Sequence, residues 1–354
     1  MTGPCAPLID QFNRRITYLR LSVTDRCDLR CLYCMPERMQ FLPRKEVLTL
    51  EELHQVALGF IARGVTKLRL TGGEPLVRRD MIDLVRALGR RIGADGAGTD
   101  GQGTLEELTL TTNGTRLAEF AEDLFAAGVR RINVSLDTLD AERFAMLSRR
   151  DRLADVLDGI AAAKAAGLRV KLNTVALKGV NEDEIPRIIA WAHGEGHEIT
   201  LIEVMPLGEV DGERVDQHLP LDAVRRELEA RWTLTPSEHR SGGPARYVDI
   251  AETGGRLGLI TPLTQNFCAG CNRVRVTATG QLYACLGGRE QVDLRAAVRS
   301  ADPARALDAA LNEAMAIKPE RHHFAIGGKG NGVEGDSRLA DAARVDRHMS
   351  VTGG

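Results

Sequence analysis

The stretch Tyr18-Leu19-Arg20-Leu21-Ser22-Val23-Thr24-Asp25-Arg26-Cys27-Asp28-Leu29-Arg30-Cys31-Leu32-Tyr33-Cys34 decides how the rest of the chain is read. Its first half alternates. Leu19, Leu21 and Val23 fall on one side of an extended chain and Tyr18, Arg20 and Ser22 on the other, the two-residue period of a β-strand. Its second half, Cys27-x3-Cys31-x2-Cys34, puts three thiols on a short loop straight after that strand. Thiolates so spaced can wrap one face of a soft-metal centre. Structural zinc takes four protein ligands, commonly from paired Cys-x2–4-Cys units. Three cysteines with no fourth nearby instead suit a 4Fe–4S cluster with one iron left open. Zinc completed by a remote ligand, and a chance group of buried thiols, are the alternatives.

Further along, short β-branched or alternating runs alternate with amphipathic helical ones, the pattern of a parallel α/β fold. Strands are expected at Thr17–Thr24, Thr66–Thr71, Glu107–Thr112, Arg130–Leu136, Leu168–Val175 and Glu198–Met205. Helices are expected from a capping box at Thr49 and Glu52 to about Arg63, then over Asp80–Ile92, Leu117–Ala127, Ala154–Ala166 and Asp183–His193. Six βα units predict an incomplete six-stranded TIM-like barrel. The strand parity repeats: apolar Leu68, Leu70, Leu108, Leu110, Ile132, Val134, Val170 and Leu172 oppose Arg69, Thr71, Thr109, Thr111, Asn133, Ser135, Lys171 and Asn173. Buried polar side chains without partners cost several kcal/mol each, so a polar inner face implies a wide, wet cavity for a polar ligand. An antiparallel sheet with one solvated face is the alternative.

The 354 residues are 43% hydrophobic and 27% charged, which excludes wholesale disorder and allows two domains or one barrel with an appendage. No apolar run approaches the roughly 20 residues of a membrane span. Met1–Asn13 lacks a signal-peptide core, so a cytoplasmic location is expected. A formal charge of −2 and 4% aromatics argue against a nucleic-acid coat or a base-stacking platform. Seven cysteines in an apparently cytosolic chain argue against a disulfide framework. Cys5 stands alone as a terminal thiol.

After Met205 the βα rhythm stops. An acidic-basic helix within Asp211–Trp232 and short strands in Arg256–Leu263 and Arg273–Cys285 predict a smaller α+β extension. It carries the second cysteine set, Cys268-x2-Cys271-x13-Cys285, beside Arg273 and Arg275 on one strand face. A structural zinc beside a solvated charged face competes here with a second open cluster. With Arg20, Arg69 and Lys171, which share inward parity with Thr111, these arginines make a cationic set that needs a polyanion to compensate it. A nucleoside triphosphate has suitable charge, though parity does not distinguish it from another multiply charged substrate.

The segment Tyr18 to Cys34 resembles the motif of the radical S-adenosylmethionine (SAM) enzymes, and Gly72-Gly73-Glu74-Pro75 is similar to their GGEP element. The resemblance implies that Cys27, Cys31 and Cys34 hold a 4Fe–4S cluster whose open iron chelates SAM. It further implies that Gly72, Gly73 and Glu74 hold the SAM amino group, with Tyr33 near the adenine and Ser135 and Met205 completing the pocket. Cys268-Ala-Gly-Cys271-Asn-Arg-Val-Arg-Val-Thr-Ala-Thr-Gly, Tyr283-Ala-Cys285, Thr111-Thr-Asn-Gly114, Lys171-Leu-Asn-Thr-Val and the terminal Gly353-Gly354 resemble the GTP-cyclising branch of that superfamily, which opens molybdenum cofactor biosynthesis. From it follow a second 4Fe–4S cluster on Cys268, Cys271 and Cys285, and GTP held by Arg20, Arg69, Thr111, Lys171, Arg273, Val274 and Arg275. Arg273 and Arg275 also count among the catalytic residues. The implied reaction removes hydrogen from C3′ of GTP with a 5′-deoxyadenosyl radical, joins C3′ to guanine C8, and gives 3′,8-cyclo-7,8-dihydro-GTP. It requires an external one-electron reductant and feeds a downstream cyclic pyranopterin monophosphate synthase. No membrane or nucleic-acid partner is expected, and the chain is a monomer or homodimer.

The expected organisation is a tail at residues 1–13, the partial barrel at 14–206, the extension at 207–326 and a glycine-rich tail at 327–354. Gly93–Gly103 reads as an inserted flexible loop away from the chemistry. A radical SAM enzyme acting on a peptide and a zinc-binding adaptor are the rival functions. His193 and His197 are four apart, but Gly194 and Gly196 weaken a helix there, so both read as surface residues. His322 and His323 carry no assignment.

Overall fold

In a computed structural model, residues 6–93, 103–205, 217–265, 267–322 and 351 are described. The Gly93–Gly103 loop interior, Cys5, His323, the Gly327–Gly335 stretch and Gly353-Gly354 lie outside them. Six parallel strands form the centre: β1 (Tyr18–Ser22), β2 (Lys67–Thr71), β3 (Glu107–Thr112), β4 (Arg131–Ser135), β5 (Arg169–Ala176) and β6 (Glu198–Glu203). Between them run α1 (Leu50–Ala62), α2 (Met81–Gly89), α3 (Leu117–Ala126), α4 (Ala141–Ser148), α5 (Leu153–Ala165) and α6 (Ile185–Gly194). The Thr49–Glu52 capping box is present, with both of its hydrogen bonds made. Helix α4, absent from the pattern reading, is short and capped by Asp140, which accepts from Arg143 N at 2.8 Å.

The C-terminal strands do not build a separate layer. After α7 (Leu221–Glu229) come β7 (Leu234–Pro236), β8 (Arg246–Ile250), β9 (Gly255–Ile260), β10 (Arg273–Val276), β11 (Gln281–Tyr283) and β12 (Gln291–Asp293), then α8 (Leu294–Val298) and α9 (Pro303–Ala316). All twelve strands form one sheet, ordered β12-β11-β10-β1-β2-β3-β4-β5-β6-β9-β8-β7. β10 joins β1 and β9 joins β6, both in parallel. The physical reason is edge satisfaction: an open parallel sheet presents unpaired backbone groups at each end, and the extension supplies partners for both.

The expected parity holds. Leu19, Leu21, Leu68, Leu70, Leu108, Leu110, Ile132, Val134, Val170 and Leu172 are buried in the main core. Ser22, Thr71, Thr109, Asn133 and Lys171, on the opposite face, are also buried, so that face is enclosed rather than solvated. His193 and His197 are buried too, contrary to the surface expectation. Helix α6 continues through Gly194, and His193 seats against Gly255 with its ring nitrogens 2.7 Å from Thr253 Oγ1 and 3.2 Å from Arg256 O. His197 packs edge-on against Trp191.

Candidate active site

The first cysteine loop is fastened from beneath by glycines. Gly73 N donates to Thr24 O and Glu74 N to Arg26 O, both at 2.8 Å. A Cβ on Gly72 would lie 2.4 Å from Thr24 O, and one on Gly73 would lie 2.3 Å from Arg26 O. Only glycine allows this backbone-on-backbone approach. From above, Arg30 N and Leu32 N donate to Ser148 O and Leu147 O at the end of α4. Asn113, just beyond β3, donates to Asp28 at 2.7 Å and reaches Cys27 Sγ at 3.7 Å.

Glu74 faces inward to the protein. It is fully buried and accepts from Leu76 N (2.9 Å), Thr112 Oγ1 (2.8 Å) and Asn113 N (2.6 Å), tying the glycine turn to the end of β3. Burial pushes its carboxyl up to about 7 despite those donors. Tyr33 donates to Asp137 at 2.5 Å, joining the cysteine loop to the end of β4, and burial pushes Asp137 up to about 6. Burial raises the Cys27 and Cys31 thiols; Glu74 adds to the first effect and the Cys34 and Cys27 charges to the second.

The second set lies at the other end of the strands. Cys268 and Cys271 immediately precede β10, whose Arg273 pairs with Tyr18 at the start of β1; Cys285 follows β11, whose Tyr283 pairs with Arg275. The first set follows the far end of β1. At about 3.3 Å per residue, the five residues of β1 separate the two levels by roughly 15 Å. Two elements with no sequence signal frame the second set. Arg14, held by buried Asp10 at 2.7 Å, donates to Cys268 O at 2.9 Å. Lys318, 1% exposed, lies 3.8 Å from Cys271 Sγ. Burial opposes ionisation of Cys271, but Lys318 and Arg273 overcome it and lower the thiol; burial raises Cys285.

All six described cysteines are thiols. Among the described residues, no three His, Cys, Asp or Glu side chains converge where a single ion would sit. A 4Fe–4S cluster spreads its thiolates over different irons. Three free thiols clustered at each end are the donor set such a cluster takes, so both sets fit such a group.

A cavity connects the two regions. Its lining includes Tyr33, Ser135 and Met205 toward the first set, and Arg20, Arg273, Arg275 and all three cysteines of the second. None of the first set's cysteines lines it; Cys31 and Cys34 pack against the apolar cluster of Tyr33, Leu147, Leu177 and Val204. The register aligns Arg275, Arg20 and Arg69 in one row across β10, β1 and β2. Burial, then Arg275, holds Arg20 well below the usual guanidinium range; burial, then Arg273, pushes Arg275 down to about 10. Val274 reaches the lining, while its side chain belongs to the core.

Three of the residues expected to hold GTP, Arg69, Thr111 and Lys171, do not line this cavity. Arg69 contacts Thr111 Oγ1 at 3.4 Å, and its buried Nε has no hydrogen-bond partner among the described residues. Lys171 hydrogen-bonds Tyr247, whose hydroxyl donates to Ser241 at 2.8 Å. Burial, aided by Arg131, Arg69 and Lys67 and opposed by Glu198, pushes Lys171 down to about 7. The lining is also less polar than the expected wet hollow. Val175, Ile202 and Ile260 form an apolar row across β5, β6 and β9 opposite the arginines. His322 lines the cavity as well.

A partial parallel barrel with a three-thiol loop on its first strand defines a radical SAM enzyme, and residues 21–192 match the Radical SAM superfamily. Residues 197–324 match Molybdenum Cofactor Synthesis C. The chain is 70% identical over 347 residues to the GTP 3′,8-cyclase of Erythrobacter litoralis (strain HTCC2594), covering 98% of each chain. It is 57% identical to that of Rhizobium meliloti (strain 1021), covering 99% of this chain and 95% of the relative. Streptococcus suis SuiB bound to S-adenosylmethionine shares the fold, with a TM-score of 0.57 at 14% identity over 80% of this chain and 64% of SuiB. The chain belongs to the GTP 3′,8-cyclase family.

Proposed function

We propose that this chain converts GTP to 3′,8-cyclo-7,8-dihydro-GTP, the first step of molybdenum cofactor biosynthesis. The observation that carries the reading is the β10–β1 register, which sets an arginine row beside the second cysteine set at the opposite end of the strands from the first. When bound, the first cluster and SAM supply the one-electron chemistry that removes the C3′ hydrogen and leaves C3′ to bond guanine C8.

The chain's own residues hold and aim the reactants. Cys27, Cys31 and Cys34 hold the first cluster; Gly72 and Gly73 offer backbone to the SAM amino group, and Glu74 acts chiefly by locking that turn. Tyr33, Ser135 and Met205 bound the SAM pocket. Cys268, Cys271 and Cys285 hold the second cluster at the guanine end. Arg20, Arg273 and Arg275 bind the phosphates from the lining, with the backbone of Val274 beside them. Arg69, Thr111 and Lys171 join them once Lys171 exchanges Tyr247 for the anion. The apolar row Val175–Ile202–Ile260 keeps water from the reacting carbon, where positioning dominates the rate.

An external one-electron reductant supplies the electrons, and a cyclic pyranopterin monophosphate synthase takes the product. Buried thiols suit the reducing cytoplasm, and no helix among the described residues is long and apolar enough to cross a membrane. The test is anaerobic reconstitution with iron, sulfide, SAM, dithionite and GTP, followed by mass spectrometry. Cyclised nucleotide formed together with 5′-deoxyadenosine is expected. Cleavage of SAM with GTP recovered unchanged would overturn the reading.

A further inference from the structure

Lys318 lies two residues beyond α9, remote in sequence from every cysteine, and is fully enclosed. Its Nζ has three neighbours for three N–H donors: Arg273 O at 3.0 Å, Ala284 O at 2.5 Å and Cys271 Sγ at 3.8 Å. Two of these are carbonyls of residues adjoining the second cysteine set, and the third is one of its thiols. The backbone around Lys318 is itself anchored. Gln11 Nε2 donates to Lys318 O at 3.1 Å, and Arg14 donates to Pro319 O and Glu320 O at 2.6 and 2.7 Å while also holding Cys268 O. One clamp therefore positions both the lysine and Cys268.

A buried ammonium is costly unless an opposite charge compensates it. Among the described residues no carboxylate pairs with Lys318, and carbonyls satisfy hydrogen bonds without neutralising charge. The groups at hand that can do so are the thiolates. We infer that Lys318 is a positioning residue for the second cysteine set: its ammonium fixes Cys271, offsets part of the negative charge of a thiolate-bound cluster, and sets that cluster's reduction potential. The inference rests on the reading of Cys268, Cys271 and Cys285 as a cluster site. Net charge and hydrogen bonds to sulfur are the levers that tune such potentials, and losing a contacting cation makes the cluster harder to reduce.

The test uses the full chain, reconstituted anaerobically with iron and sulfide, as wild type and as Lys318→Met, Lys318→Gln and Lys318→Arg. Iron per chain is counted, and each cluster is titrated with dithionite and followed by electron paramagnetic resonance. The wild type is expected to hold about eight irons. Lys318→Met and Lys318→Gln are expected to fall toward about four, with any second cluster that remains shifted to more negative potential. Lys318→Arg is expected to recover occupancy and potential, which a merely space-filling role does not predict. The first cluster reports folding in every sample, and Lys318→Gln, which can still donate to the carbonyls, serves if Lys318→Met does not fold. Full second-site iron at the wild-type potential in either folded uncharged variant overturns the inference. A wild-type chain holding only about four irons overturns the cluster reading itself.

Discussion

The two cysteine sets present the same donors, three thiols each, and are built in opposite ways. The first occupies eight consecutive residues and is shaped by its neighbours along the barrel: the glycine turn after β2, the carboxamide of Asn113 after β3, and Asp137 after β4. The second draws on segments hundreds of residues apart, with Arg14 from the N-terminal arm and Lys318 from beyond α9 meeting Cys268 and Cys271. Their charge surroundings differ too. Carboxyls of Glu74, Asp28 and Asp137 flank the first set, whereas Lys318, Arg273 and Arg275 flank the second. A cationic frame of that kind suits a polyanionic nucleotide, the substrate proposed for that end. The difference teaches that one sheet can set three thiols in two opposite electrostatic environments.

The largest effect that probes this contrast is Gly73→Ala. Its new methyl collides with Arg26 O and must displace the cysteine loop. Displacements near 1 Å cost about 100-fold in rate when reacting groups are positioned this tightly, so 5′-deoxyadenosine formation should fall by about that factor while second-site iron stays bound. Loss of iron from both sites together would show that the sets are not independent.

Arg273→Ala and Arg275→Ala act at the other end. Each should lower cyclised product at least about tenfold more than it lowers 5′-deoxyadenosine, because one charge-assisted contact to phosphate is worth roughly 1.5–3 kcal/mol. Normal cyclised product by mass spectrometry in both variants would refute that division of labour.

The smallest effect is a proton count. Lys171 has a folded value near 7, below its ordinary 10.5. Between those values the unfolded chain binds more protons than the folded one, so burying Lys171 costs stability, and that cost shrinks as pH rises across the window. A triphosphate that restores the ammonium must bring a proton with it. Calorimetry of GTP binding at pH 8.5, in buffers of different ionisation enthalpy, should register uptake approaching one proton, and Lys171→Met should abolish it. Equal uptake in both proteins would remove Lys171 from the phosphate site.

Much of the barrel was legible because its determinants are local. Strand parity at Leu19, Leu68, Leu108, Ile132 and Val170 identified the packed face, and the Thr49–Glu52 pair marked the start of α1. The glycine turn is legible only through its resemblance to the GGEP element; its approach to the loop after β1 shows in the folded chain alone. Three features escaped. The C-terminal strands read as an appendage because edge pairing between Tyr18 and Arg273 leaves no mark in either segment. Lys318 sits in an unremarkable Ile-Lys-Pro stretch, and its importance exists only after the chain has folded back on the second cysteine set. The apolar row at Val175, Ile202 and Ile260 depends on the stagger between strands, so parity within one strand could not reveal it. The burial of His193 and His197 leaves no mark in the sequence, because the packing of His193 on Gly255 outweighs the local cost of helical glycine.

The triple variant Cys268→Ser, Cys271→Ser, Cys285→Ser tests most directly whether the two sets serve separate halves of one reaction. With SAM, dithionite and GTP under anaerobic conditions, this variant should hold about half the wild-type iron and still release 5′-deoxyadenosine while forming no cyclised nucleotide. Cyclised nucleotide at the wild-type yield, or an undiminished iron content, would contradict the account.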